Sequence, residues 1–438
     1  MMKIVRMKTW SSYVDSRRLL QKEGFINIDK RLEAYIRAII EEVRKKGDAA
    51  LIRFTEQFDG VSLNPENLRV SSEEINDAYS KVTEDQISAI KTVKEKLEFV
   101  EKHLLEQARM EMKLGRVTIK FCTRPIKRVG CYVPSGNAAY PSTLVMTVVP
   151  AIVAGVPRVT VCSSPSRDGT LNPLTLVAAD VCGVSEIYRV GGAQAIAAMA
   201  YGTETVKPVD KIVGPGNTYV SMAKVLVSRD VAIDFPAGPS ELLVMADETA
   251  NPRFIALDMC AQAEHGPDSI VGLVTTSERL AEKAISELDD IARSSPRSDI
   301  VFKALSNNGF VVICKTVDEM VEFTNTFAPE HVEVMLKNPE NVIERISTAG
   351  LILSGSYSPA SLSDYCGWTN HVLPTWGYGK IFSALSSLDF VRRVAVVECS
   401  KMGLMEAFEN IRILSEAEKL PGHFKAVEGR FKNGEKCR

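Results

Sequence analysis

The chain reads as an α/β protein with two Rossmann-like parallel-sheet domains, N-terminal helices in front of them and a helical C-terminal tail. Three observations predict this. Between Val129 and Phe235, short apolar strands alternate with helical stretches of about ten residues, the pattern of βαβ units on a parallel sheet. The same alternation restarts at Leu242 and continues to Ser354. Before Val117, apolar residues recur at helical rather than strand spacing. The 438 residues suit two to three domains with a large core.

Residues 1–25 carry no clear pattern. From Lys30 to Lys46, Leu32, Ile36, Ile39, Ile40 and Val43 form one stripe, which predicts a helix ended by Gly47. Asp48 is placed to cap a further helix through Phe54, and Gly60 to Val70 reads as loop and short strand. Thr83 with Gln86 is a capping box. It opens a long helix whose stripe of Ile87, Ile90, Val93, Leu97, Val100 and Leu104 runs to about Met110. A helix of that length is expected to take part in a dimer. Strands follow at Val117 to Phe121 and from Val129. The first sheet continues with strands at Val159–Cys162, Ile187–Val190, Lys211–Val213 and Val231–Phe235, separated by helices 171–182, 193–201 and 217–228. The second takes strands from Leu242, Ile270, Phe310, His331 and Gly350, with helices 252–264, 277–293 and 317–325. Crossovers should be right-handed. The tail, 384–438, is mostly helical, with one strand at Val394–Glu398.

Composition narrows the function. The 53 basic and 55 acidic residues are well mixed, so neither nucleic acid nor an anionic membrane surface is an expected partner. The most apolar run, Val145 to Val156, is short and broken by Pro150, and the first residues lack an apolar signal core. Nine scattered cysteines without a CxxC pair read as reduced thiols of a cytoplasmic protein.

Ligands of open parallel sheets gather beyond the strand C-termini. Those ends here are Tyr132-Val-Pro-Ser-Gly136, Gly191-Gly-Ala-Gln194 and Gly214-Pro-Gly-Asn217, polar turns whose free backbone N–H groups suit the phosphates of a nucleotide. Four of the five histidines, His265, His331, His371 and His423, lie in Gly-, Pro- and acid-rich segments. His103 lies in an amphipathic helical pattern and reads as a solvated helix residue. Gln262 and His265, three apart, would share a helix face ended by Gly266-Pro267, half of a tetrahedral metal site. Glu330 and His331 are adjacent. In a strand they would splay apart, so both reach one site only from a loop. Asp364 precedes His371, and Glu418 precedes His423.

Over about residues 30–430 the chain resembles the histidinol dehydrogenase family. The likeness rests on Val190-Gly-Gly-Ala-Gln-Ala-Ile-Ala-Ala, Lys211-Ile-Val-Gly-Pro-Gly-Asn, Pro236-Ala-Gly-Pro-Ser-Glu, Gln262-Ala-Glu-His-Gly-Pro-Asp-Ser, Pro329-Glu-His and Thr369-Asn-His-Val-Leu-Pro-Thr. It departs from the family pattern at Ser135, Cys366-Gly-Trp368 and Pro421-Gly422.

The resemblance implies an aldehyde-dehydrogenase-like fold and an NAD-dependent, zinc-containing homodimer with shared active sites. Its reaction would oxidise L-histidinol to L-histidine through the aldehyde, in two hydride transfers. Residues 1–25 would be an extension, 26–128 a helical segment packing with 238–381 as the substrate and zinc domain, 129–237 the NAD-binding domain and 382–438 the dimerisation tail. One Zn²⁺ per subunit is expected on Gln262, His265, Asp364 and His423, the last from the partner subunit. Glu330 and His331 match the catalytic pair, and Ser240 and Glu418 match substrate contacts, joined there by His331 and the zinc ligands. Tyr132, Gln194 and Asn217 match cofactor contacts. Cys260 and Cys366 read as packing. The competing readings are a related dehydrogenase of another small alcohol, such as a sulfonated diol, and a non-catalytic nucleotide-binding protein.

Overall fold

The computed structural model describes residues 6–9, 30–135 and 139–431. The chain divides into two compact units, Met1–Lys102 with Ile126–Phe390, and His103–Pro125 with Val391–Arg438.

The first unit holds both expected parallel sheets. One has five strands, in the order Glu186–Tyr188, Arg158–Cys162, Arg128–Tyr132, Lys211–Val213 and Ala232–Ile233. The chain enters at Arg128–Tyr132, builds outward on one side and then crosses to the other. This puts a topological switch point between the ends of Arg128–Tyr132 and Lys211–Val213, where open sheets bind their ligands. The second sheet has six strands, in the order Arg6–Thr9, Phe310–Ile313, Ile270–Thr275, Glu241–Ala246, His331–Met335 and Leu351–Ser354. Every pairing in it is parallel, with His331 opposite both Leu242 and Leu351.

The stripe on Lys30–Lys46 is buried at Ile36, Ile39, Ile40 and Val43. It shares one core with Ala195–Ala200 and Met222–Val227 of helices Gly192–Tyr201 and Thr218–Val227. The expectation that 26–128 packs with 238–381 is therefore corrected for this helix and for Asp48–Asp59, which lie against the first sheet's helices. Asp48 is also not a cap for its own helix. It is the first helical residue, and its carboxylate accepts hydrogen bonds from the backbone N–H and hydroxyl of Thr205.

The Thr83–Gln86 capping box forms in both directions, at 3.3 and 3.0 Å. Its helix runs Glu84–Gln107, and where the stripe was read on to Met110 the chain turns into strand Met110–Leu114. Helix Ser72–Tyr79 was not expected, although Ser71 and Glu74 form the reciprocal capping box that announces it. Helices Pro141–Val153, Ser298–Asn308 and Ala360–Tyr365 were likewise unread. The first is buried along nearly its whole length and so lacks the polar face that makes a helix visible in a sequence.

The second unit is a three-stranded antiparallel sheet, Val391–Cys399 on Val117–Pro125 on Met110–Leu114, with helices Lys401–Glu406, Phe408–Ala417 and Pro421–Glu428. Phe408 anchors it with edge-on ring contacts to Phe424 and Phe431.

Candidate active site

The turns at the switch point are built tightly. Helix Thr218–Val227 begins after Asn217, whose side-chain oxygen caps it by accepting from Tyr219 and Val220 N–H at 3.1 Å. Gly214 has φ +115°, and a Cβ there would lie 2.1 Å from the Tyr132 carbonyl oxygen, so only glycine lets the two strand ends meet. Asp234 holds this turn by accepting from Gly214 N–H at 2.8 Å. Lys224, 2% exposed, donates to the Gly214 carbonyl at 2.8 Å and pairs with Asp234. Tyr132 hydroxyl accepts from Gly192 N–H at 3.1 Å, and burial pushes its pKa up to about 12. These turns line a cavity of about 680 Å³ that includes Tyr132, Gln194, Asn217, Asp59 and Tyr219. Gln194 is buried with its side-chain oxygen unpartnered, and Gly192 begins a helix whose N-terminal N–H groups open at the same place. Of the three turns, Gly136 lies outside the described residues.

A second cavity of about 390 Å³ shares Pro134, Tyr140, Asn217 and His265 with the first. Ser240, Gln262, His265, Glu330, His331 and Asp364 all line it. Parallel topology explains this convergence. Ser240 immediately precedes strand Glu241–Ala246, and Glu330 immediately precedes His331–Met335. Helix Pro252–Ala263 returns antiparallel to its strand and delivers Gln262 to the same N-terminal edge. The helix stops at Ala263, so Gln262 and His265 do not share a helix face as expected. His265 follows in a turn, its N–H on the Gln262 carbonyl at 3.3 Å, and both still reach the cavity.

Glu330 and His331 point together because only His331 is in the strand. Their closest approach is 3.6 Å, His331 Nδ1 to Glu330 Oε2. Glu241 fixes both. Its N–H donates to Glu330 Oε2 at 2.7 Å, and its carboxylate accepts from Glu330 N–H at 3.2 Å and Trp376 N–H at 3.0 Å. Its carbonyl lies 3.2 Å from His331 Nδ1. A carbonyl only accepts, so Nδ1 carries a proton, and Nε2, buried and without a hydrogen-bond partner, is the nitrogen left to gain or lose one. Burial opposes charging of His331, yet the Glu330 carboxylate, with Asp364 and the Glu241 carbonyl, raises its pKa to about 9. His371, in the same cavity 3.5 Å from Asp364, goes the other way: burial holds its pKa below the ordinary histidine value. Cys260 is buried with its thiol pushed up to about 12 by burial and Glu264, the state of an inert packing thiol.

A family model described as histidinol dehydrogenase matches residues 26–431. A histidinol dehydrogenase of Methanocaldococcus jannaschii is 44% identical over 417 residues, 94% of this chain and 96% of that protein. One of Heliobacterium mobile is 41% identical, over 98% of this chain and 100% of that protein. The crystal structure of histidinol dehydrogenase from Elizabethkingia anophelis matches with a TM-score of 0.93 at 35% identity, covering 98% of each chain. The chain belongs to the histidinol dehydrogenase family. It is an NAD-dependent oxidoreductase of histidine biosynthesis.

Two residues expected in a histidinol dehydrogenase site belong to the second unit. Glu418 ends helix Phe408–Ala417 as its C-cap, and His423 is on helix Pro421–Glu428; both are exposed. Among the described residues, no three His, Cys, Asp or Glu side chains form a metal-holding group. The expected donors present in the first unit, one amide, one imidazole and one carboxylate, are of types that zinc accepts, and they line one cavity. Sequence reasoning missed Glu241 as the residue that orders Glu330 and His331. It stands in the quoted Pro236–Glu241 motif, but its partners are 89 and 90 residues away, beyond any spacing rule. His371 was noted only for its surroundings, and the signal that would single it out is its approach to Asp364.

Proposed function

We propose that the smaller cavity takes L-histidinol and the larger takes NAD⁺, and that their shared wall is where hydride passes. The observation that carries this reading is the convergence of Ser240, Gln262, His265, Glu330, His331 and Asp364 on one cavity that adjoins the switch-point turns. NAD⁺ would supply the hydride acceptor, and Tyr132, Gln194 and Asn217 would hold it. Gln262, His265 and Asp364 would hold one Zn²⁺ per subunit, with His423 as the fourth ligand, contributed across a homodimer contact. When bound, that ion supplies a Lewis-acid template for the substrate's amino and imidazole nitrogens.

His331 Nε2 is the general base. It takes the alcohol proton as hydride leaves the carbinol carbon, giving the aldehyde. The neutral form of the ring is a strong proton acceptor because the Glu330 carboxylate stabilises the imidazolium that it becomes. After His331 has released that proton and NADH has been exchanged for a second NAD⁺, Glu330 removes a proton from the water that hydrates the aldehyde. His331 then acts again as base while hydride passes from the hydrate to the second NAD⁺, which gives the carboxylate. Ser240 and Glu418 contact the substrate. Mixed surface charge and free thiols suit a cytoplasmic enzyme with no nucleic-acid or membrane partner; no described helix is long and apolar enough to cross a membrane.

The test is NADH formation with L-histidinol against other small alcohols, together with metal analysis. Two NADH per histidinol, and loss of both zinc and turnover in His265→Asn, are expected. No turnover with histidinol, or full zinc content in that variant, would overturn the assignment.

A further inference from the structure

Gln262, His331 and Asp364 reach the cavity from three separate elements, and one buried side chain ties those elements together. Glu333 is 0% exposed and follows His331 by two residues in the same strand, so both project from one face of the sheet. Glu333 Oε1 accepts from the backbone N–H of Ala360 at 2.7 Å, the first residue of helix Ala360–Tyr365, which carries Asp364. The Glu333 carboxyl also meets the carboxyl of Asp258, one helical turn before Gln262 on helix Pro252–Ala263. Glu333 Oε2 is buried with no other hydrogen-bond partner, and two carboxyls side by side there can approach closely only by sharing a proton. Burial raises both groups above the usual carboxylate range, Asp258 to about 6 against the lowering effect of its hydrogen bond with Glu333, while at Glu333 the nearby Asp258 charge adds to the rise. Neither residue lines the cavity.

We propose that the Glu333–Asp258 carboxyl pair is a positioning device that sets the helices bearing Gln262 and Asp364 against the strand bearing His331. The proposal rests on reading Gln262 and Asp364 as zinc ligands and His331 as the base. Without Glu333, the Ala360 N–H loses its acceptor and helix Pro252–Ala263 loses its polar tie to the strand. Apolar packing around Met259, Met335, Leu353 and Ala360 would still hold the fold. The defect should therefore appear in the site before it appears in stability.

The experiment uses the full-length enzyme and measures zinc affinity by competition with a chromophoric chelator, together with thermal unfolding, kcat and KM for histidinol. Glu333→Leu replaces the carboxyl with apolar volume. It is expected to weaken zinc about tenfold or more and to lower kcat by a similar factor, as losses around a metal's ligands do, with the unfolding temperature maintained. Glu333→Gln keeps an acceptor for Ala360 and a donor for Asp258, and should restore both readouts to within about threefold of the parent, an effect smaller than those ligand-support losses. A folded Glu333→Leu enzyme with parental zinc affinity and kcat overturns the proposal. If that variant does not fold, Asp258→Leu decides: weakened zinc supports the tie, and parental zinc affinity and kcat refute it. His265→Asn runs alongside. If it keeps zinc, the underlying site reading fails and the proposal with it; if it loses zinc while Glu333→Leu retains it, only the positioning role fails.

Discussion

Lys224→Met tests the architecture of the turn proposed to hold the cofactor. The Lys224 ammonium is 2% exposed, pairs with the Asp234 carboxylate and donates to the Gly214 carbonyl at 2.8 Å. Methionine fills the same stem volume without the charge. Removing one member of a buried pair typically costs about 3–5 kcal/mol, because the remaining charge is left uncompensated. Asp234 retains two backbone donors, Gly214 N–H at 2.8 Å and Phe235 N–H at 2.7 Å, which places the expected loss near the low end, about 3 kcal/mol. In a chain of this size that is roughly a 3 °C fall in unfolding temperature. The freed carbonyl loosens the turn that ends in Asn217, so KM for NAD should rise about tenfold while KM for histidinol moves little. Differential scanning calorimetry and steady-state kinetics read both effects. Asp234→Asn should behave similarly. The double variant should lose at least about 1 kcal/mol less than the sum of the singles, since the pair is broken only once. Parental stability and parental KM for NAD in Lys224→Met would refute the clamp.

Three further outcomes follow from the same geometry. His331→Asn should keep its zinc and lose about 10²–10⁴-fold in kcat, the usual contribution of a general base; unchanged turnover would show that the proton goes elsewhere. Gly214→Ala should cost about 1–3 kcal/mol in backbone strain alone, because φ there is +115°, and its Cβ would collide with the Tyr132 carbonyl; calorimetry and NAD titration should register both faults. Burial raises the Asp59 pKa from 3.8 to about 6, against a Ser164 hydrogen bond, so the folded state favours the protonated carboxyl. That contribution is complete below pH ~4 and is lost as pH rises through ~6, so Asp59→Asn should stabilise the protein at pH ~8 but not at pH ~4. With the group partly solvated, the gain should be about 1 kcal/mol, seen as a pH-dependent shift in unfolding temperature.

Much of the fold was legible because its signals are local. Alternating apolar strands and helices of short period marked both parallel sheets, and the Thr83–Gln86 box marked the start of the long helix. Its end was misread because Leu104 to Met110 keeps an apolar rhythm that strand Met110–Leu114 uses for antiparallel pairing with Val117–Phe121. Helix Pro141–Val153 escaped because it is apolar on all sides. Most candidate site residues were legible through long motifs, and six of those residues line one cavity. Their support was not. Glu241 and Glu333 act through partners 27 to 90 residues away, and no periodicity connects them.

Taken alone, the chain's order of residues determined the α/β class, the places where strands end in polar turns, and the supply of imidazole, amide and carboxylate groups, because each depends on neighbours a few positions apart. Tertiary structure decided which strand lies beside which, and so brought the C-terminal edge of the first sheet to a cavity shared with the N-terminal edge of the second. It also decided that His331 presents Nε2 rather than Nδ1 to the cavity, since the carbonyl that orients the ring belongs to the adjacent strand. Burial lowers the proton affinity of both His331 and His371, and the Glu330 carboxylate beside His331 reverses it there, a difference between two identical side chains that arises only from what surrounds each one.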